Sequence, residues 1–178
     1  MPTWIAFQRA VNVGGRKYPM AELRSLLTDA GYADVETHIQ TGNIRLTSPI
    51  RSRVKLEKEL EQLFAADRGF DVATIAFSPA ELVQVAEDAD RVSAPQPPTY
   101  AHYVELLRAA PSAADAALIE GQELPGQRAI VQGRAVHLLF DIPYGESKPP
   151  SAAVKRALGV STNRNVKVVR ALVEKWCR

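Results

Sequence analysis

One cysteine in 178 residues, Cys177, rules out an internal disulfide. A chain held together without such links suits the cytoplasm. No apolar run approaches the ~20 residues that a membrane-spanning helix needs. Apolar stretches such as 130–131 and 136–140 are short and strand-sized. The opening Met1-Pro2-Thr3-Trp4 has no basic stretch leading into an apolar core, so no secretory leader is read there. Neither sign of charge dominates, with 22 Lys and Arg against 20 Asp and Glu. With 46% hydrophobic residues, that balance excludes a disordered or coiled-coil chain and fits a globular protein. His38, His102 and His137 fall in separate segments without metal-ligand spacing, so no metal is expected. Neither G-x-G-x-x-G nor G-x-x-x-x-G-K-[ST] occurs, and no cofactor is expected.

What is present is a repeated grammar. Residues 3–11 are apolar on both phases of a strand, as a central strand would be. Asn12-Val13-Gly14-Gly15 ends it, and Met20, Leu23, Leu26 and Leu27 then recur at helical spacing as far as Gly31. Val35, Thr37 and Ile39 alternate, Thr41-Gly42-Asn43 turns the chain, and Ile44 and Leu46 alternate again. Ser52 caps a helix with Leu56, Leu60 and Phe64 inward, and 71–77 returns as a strand. That order is βαββαβ, the ferredoxin-like unit. Ser78-Pro79-Ala80-Glu81 is a capping box that opens a trailing helix. Pro95, Pro97 and Pro98 then mark a linker. The second half has a strand at 102–107, a helix capped by Ser112, a hairpin around Gln132-Gly133-Arg134 and two further helices. A fourth strand is not evident, and Thr162 or Asn163 reads as a cap of the last helix. The expected fold is therefore α+β, with two ferredoxin-like (α/β plait) halves in tandem and helices on one face of each antiparallel sheet. The second half is expected to be incomplete, with an extra C-terminal helix. The expected divisions are 1–92, a linker at 93–99, and 100–178.

Candidate chemistry concentrates at two places. Arg9, Asn12, Gly14, Gly15, Arg16 and Lys17 form a basic, glycine-bearing loop between a strand and a helix. Backbone N–H groups and the helix N-terminus suit such a loop to a phosphate or carboxylate. In a ferredoxin-like sheet the hairpin with Gln40, Thr41 and Asn43 lies on the same edge, so the two loops should meet. The second place is the loop 141–150, where Ser147 and Lys148 are neighbours and a desolvated lysine can activate a serine. Arg164 is a further anion partner. His38, His102 and His137 read as ordinary strand-face residues.

Arg9-Ala10-Val11-Asn12-Val13-Gly14-Gly15, Met20-Ala21-Glu22-Leu23-Arg24-Ser25-Leu26-Leu27, Ile39-Gln40-Thr41-Gly42-Asn43, Ser147-Lys148 and Thr162-Asn163-Arg164-Asn165 occur in that order. In this the chain resembles the bacterial family termed domain of unknown function 1697, over nearly its whole length. The resemblance implies a tandem ferredoxin-like architecture and no assigned activity. Two departures stand out: the family usually has Gly where Ala10 stands, and Trp-Asn-Thr where this chain has Val166-Lys167-Val168.

The leading expectation is a small anionic ligand, phosphorylated or not, at Arg9, Asn12–Lys17 and Gln40–Asn43. Ser147, Lys148, Arg164 and Asn165 join it if the site is a cleft between halves. An enzyme using Ser147 and Lys148 is one alternative. No membrane partner is expected, and the oligomeric state is left open. Nucleic acid is the other alternative, because residues 1–90 carry a net charge of −3 and residues 91–178 a net +5. From Lys148 onward there are 8 basic residues against one acidic. That alternative predicts duplex binding whose log K falls by about 0.9 per neutralised phosphate as log salt rises. Filter binding across a salt series checks it, and affinity that survives charge reversal of Lys167, Arg170 and Lys175 rejects it.

Overall fold

The computed structural model describes residues 1–178. The chain resolves into two compact units, Met1–Leu82 with Trp176–Arg178, and Val83–Lys175.

In the first unit β1 (Thr3–Gln8) is central, paired antiparallel with β3 (Asn43–Thr47) on one side and β4 (Thr74–Phe77) on the other. β2 (Ala33–His38) completes the order β2-β3-β1-β4. β1 is buried on both faces beyond its first residue, as its unbroken apolar run requires. α1 (Met20–Asp29) and α2 (Arg53–Arg68) cover one face. There Leu23, Leu27, Leu56, Leu60 and Phe64 pack with Ala6, Ile44 and Ala76 from the sheet. Ser52 caps α2 by accepting from Lys55 N, and Gly69 ends it in the left-handed conformation at φ 74°. β4 is an edge strand, and α2 covers part of that edge. Thr74 N donates to Glu61 and Ala76 N to the buried Glu57, each at 2.9 Å. Trp176 Nε1 donates to Glu36 at 3.1 Å and meets His38 edge-on.

The second unit repeats the plan. β5 (Ala101–Leu107) is central between β7 (Ala135–Phe140) and β8 (Ser161–Asn165), and β6 (Gln127–Gln132) gives the order β6-β7-β5-β8. β8 corrects the expectation of an incomplete second half. Its sequence Ser-Thr-Asn-Arg-Asn has no apolar alternation, yet it registers along β5 from Tyr103↔Asn165 to Leu107↔Ser161. Pairing with a central strand overrides its poor intrinsic preference. The cap of α6 (Val166–Trp176) is accordingly Asn165, whose Oδ1 accepts from Lys167 N at 2.9 Å, and not Thr162 or Asn163.

α4 (Ala113–Glu120) and α5 (Ala152–Leu158) lie over one face of this sheet, capped by Ser112 and Ser151. α3 (Pro79–Ser93) begins with the reciprocal Ser78–Glu81 capping box. Its later turns serve the second sheet: Arg91 donates to Gln132 at 3.1 Å, and Asp90 pairs with Arg170 of α6 at 2.5 Å. Helices therefore flank both faces here, where one covered face was expected. This also explains why the second unit starts inside α3, ahead of the prolines.

Ala10 and Ile39 hold φ of 55° and 52°. The left-handed region costs a residue with a Cβ about 1–2 kcal/mol, and glycine gives back roughly 0.5–1 of that in backbone entropy. Ala10→Gly, restoring the residue usual in the resembling family, should stabilise the fold by about 0.5–1 kcal/mol. Urea unfolding at unchanged m checks this, and a loss of stability would contradict it.

Candidate functional site

The two loops of the first unit do converge. Gln8 N donates to Gly42 O at 2.8 Å, and Asn12 Nδ2 donates to Gln40 O at 2.6 Å. A Cβ on Gly42 would come within 2.6 Å of the Gln8 side chain, so this contact needs glycine. Asn12, Arg16 and Asn43 are occupied in holding the loops. The Asn12 amide donates to Tyr18 O and accepts from Tyr18 N at 2.8 Å. Arg16 donates to Ala10 O at 2.9 Å and to Asp71 O, and stacks over Phe70. Asn43 is buried and donates to His38 O and Thr41 Oγ1. Arg9, Gly14, Gly15, Lys17, Gln40 and Thr41 are exposed. Gly14 and Gly15 take φ of 55° and 81°, and Asn12 takes 56°.

The second unit holds a cavity of roughly 330 Å³ between its sheet and α4, α5 and the loop 141–150. That volume lies within the range of small-molecule sites. Ile119, Val136, Leu138, Phe140, Val154 and Leu158 make its apolar wall, and Ser147 and Lys148 stand among its lining residues. Ser147 Oγ donates to Tyr144 O at 2.6 Å, closing the short 3-10 turn Tyr144–Glu146. Its proton is thus committed to a carbonyl, which argues against a serine activated by Lys148. Glu105 of β5 also lines the cavity. Register places it between Val136 of β7 and Asn163 of β8. Its carboxylate accepts from Ser161 Oγ at 2.6 Å and Asn163 Nδ2 at 3.0 Å. Tyr103, Phe140 and Tyr144 cluster nearby, with the two tyrosine rings 4.6 Å apart. Burial first, and then the Glu105 charge, raise the Tyr144 pKa. Sequence reasoning missed Glu105, although a charged residue in the apolar phase Tyr103–Glu105–Leu107 of a central strand was the available signal.

Arg164 points to the other phase of β8 from Glu105 and is buried, donating to Thr162 Oγ1 and Asn163 O. Burial pulls its pKa down to about 10, against the attraction of Glu105. With Arg164 buried and Arg170 paired to Asp90, the basic C-terminal segment presents less free charge than its count implies. The face that Arg164 shares carries a histidine pair. His102 Nε2 and His137 Nδ1 are 3.0 Å apart, and both rings are buried. Burial chiefly, and for His102 its neighbour, hold both at about 4.

Two four-stranded antiparallel sheets of like order, flanked by six α-helices, define an α+β protein. No helix is long and apolar enough to cross a membrane. The chain belongs to the family described as Protein of unknown function (DUF1697), whose model matches residues 1–137. Among solved structures it is similar to conserved bacterial protein SP0830 from Streptococcus pneumoniae, at 22% identity and TM-score 0.73. That likeness covers 100% of this chain and 99% of the other, and speaks for the fold alone. No curated protein matches the chain.

The histidine pair gives an acid-side prediction. Both groups are depressed below their ordinary value near 6.5, so their stabilising effect is full above that pH and lost on descent toward 4. Stability should fall by up to about 1.4 kcal/mol per pH unit for each histidine over that window. Urea titrations at pH 7, 6 and 5 read the slope. A His102→Leu, His137→Leu variant with an unchanged slope would remove the pair as its cause.

Proposed function

We propose that this protein binds a small organic anion, with its apolar body in the cavity of the second unit and its charged group at Lys148. The observation that carries the reading is an apolar cavity of ligand size with a lysine among its lining residues. Lys148 is exposed, which suits the mouth of such a site. An ammonium held there meets a carboxylate or phosphate as a point charge. We also read each half as a ferredoxin-like plait, on the βαββαβ order of elements and the matching strand orders.

A second reading keeps the anion at Arg9, Lys17 and the Gly14-Gly15 backbone. Positive φ at Ala10, Asn12 and Ile39 in two touching loops favours it, because backbone strain gathers at ligand clamps.

One experiment separates the two. Indole-3-propionate, a flat apolar body with a carboxylate, is titrated while thermal unfolding is followed. At 100 times its Kd it should add about 2.7 kcal/mol, or roughly 5–10 °C for a chain this size. Ala129→Trp, which fills the cavity from β6, should abolish the shift, and Lys148→Ala should weaken binding about tenfold. A shift that persists in Ala129→Trp but disappears in a Gly14→Ala, Gly15→Ala variant moves the site to the loops. No shift in the unmodified protein rejects both readings for this class of ligand.

A further inference from the structure

The floor of the same cavity carries chemistry that an anion site leaves unused. Glu105 projects from the central strand into a space whose sheet-side wall includes Val136, Leu138 and Phe140, and which Arg128 and Lys148 also line. Its hydrogen-bond partners, the Ser161 hydroxyl and the Asn163 amide, are neutral, and each oxygen accepts one of them. A carboxylate offers about four acceptor positions, so the pair orients the group and leaves capacity for further donors. The Arg164 charge acts on it from the other phase of β8, where that side chain is engaged with Thr162 and Asn163 O. Beside Glu105 stand two tyrosines with ring centroids 4.6 Å apart, and Phe140 and Tyr144 with centroids 5.3 Å apart. A carboxylate next to aromatic rings, inside a largely apolar cavity, is an environment that suits a protonated amine. The charge is met by the oxygens, and the N–CH2 groups are met by the rings. A neutral alcohol gains only a neutral-to-charged hydrogen bond there, and a second anion is repelled.

Resting on the cavity reading above, we infer that Glu105, with Phe140 and Tyr144, forms a seat for a primary ammonium group. The ligand class is then an apolar body bearing a protonated amine. A compound that also carries a carboxylate, and so is zwitterionic like an amino acid, would engage Glu105 and Lys148 together.

The test uses three indoles of one shape on the full chain, by calorimetric titration at pH 7. They are tryptamine with an ammonium, tryptophol with a hydroxyl, and indole-3-propionate with a carboxylate. Tryptamine should bind at least tenfold more tightly than tryptophol. Glu105→Gln keeps the shape of the side chain and one acceptor oxygen between Ser161 and Asn163, and should remove that advantage while leaving indole-3-propionate unaffected. Should Glu105→Gln fail to fold, Tyr144→Leu on the exposed 3-10 turn replaces it, with loss of tryptamine affinity expected. Equal binding of tryptamine and tryptophol, or tryptamine affinity unchanged in both variants, overturns the ammonium seat. If indole-3-propionate still binds in a Lys148-dependent way, that result leaves the cavity reading intact. If no indole binds, both fall.

Discussion

Each unit is governed by a central strand that must find two antiparallel partners distant in sequence. β1 takes β3 and β4, and β5 takes β7 and β8. Because side chains alternate strictly along a strand, this register decides which groups share a face, and a slip by one residue would exchange the two sets. Glu105 lies in the cavity because Val136 and Asn163 flank it in register. His102 and His137 meet on the opposite face for the same reason. One constraint thus supplies both the one carboxylate among the cavity's lining residues and the buried histidine pair.

Polar residues brought together by such a scaffold are not automatically a ligand site. Asn12 illustrates this. Its amide closes the loop onto both the N–H and the carbonyl of Tyr18, and it ties the hairpin through Gln40 O. An amide satisfied in this way orders two loops that contain several residues at positive φ, and the order is what keeps that strain in place. Arg16 is used similarly, with its donors on Ala10 O and Asp71 O. Such loops are held rigidly, and the cations left facing water are Arg9 and Lys17.

Most of the fold was legible because its signals are local. Ser52 and Ser112 each accept from a backbone N–H in the first turn of the helix they precede, as their position before the helix implies. β1 announced itself by apolar residues on both phases. β8 did not, since its five residues are polar and its strand character comes from its partner. The meeting of the two loops was legible from topology. The cavity was not, because a void follows from what neighbouring helices fail to fill. Glu105 could be seen in the sequence as a charge out of phase, but its significance depends on that void.

The void has an identifiable origin. Ala6, flanked by Ile44 and Ala76, occupies in the first sheet the place that Glu105, flanked by Val136 and Asn163, occupies in the second. Over Ala6 lie helices of 10 and 16 residues that bring Leu23, Leu27, Leu56, Leu60 and Phe64 into the core, and the space is filled. Over Glu105 lie helices of 8 and 7 residues, and each buries a single side chain, Ile119 and Val154. Half of α4 is alanine, so it forms a helix readily but brings little volume to the sheet. A packed interior lined that way would ordinarily collapse or be filled by larger side chains. The first half shows that this topology can be filled. A carboxylate and an amide paired on the floor of the unfilled copy give it a polarity that a mere packing defect would lack, and that polarity is what the proposed ligand seat uses.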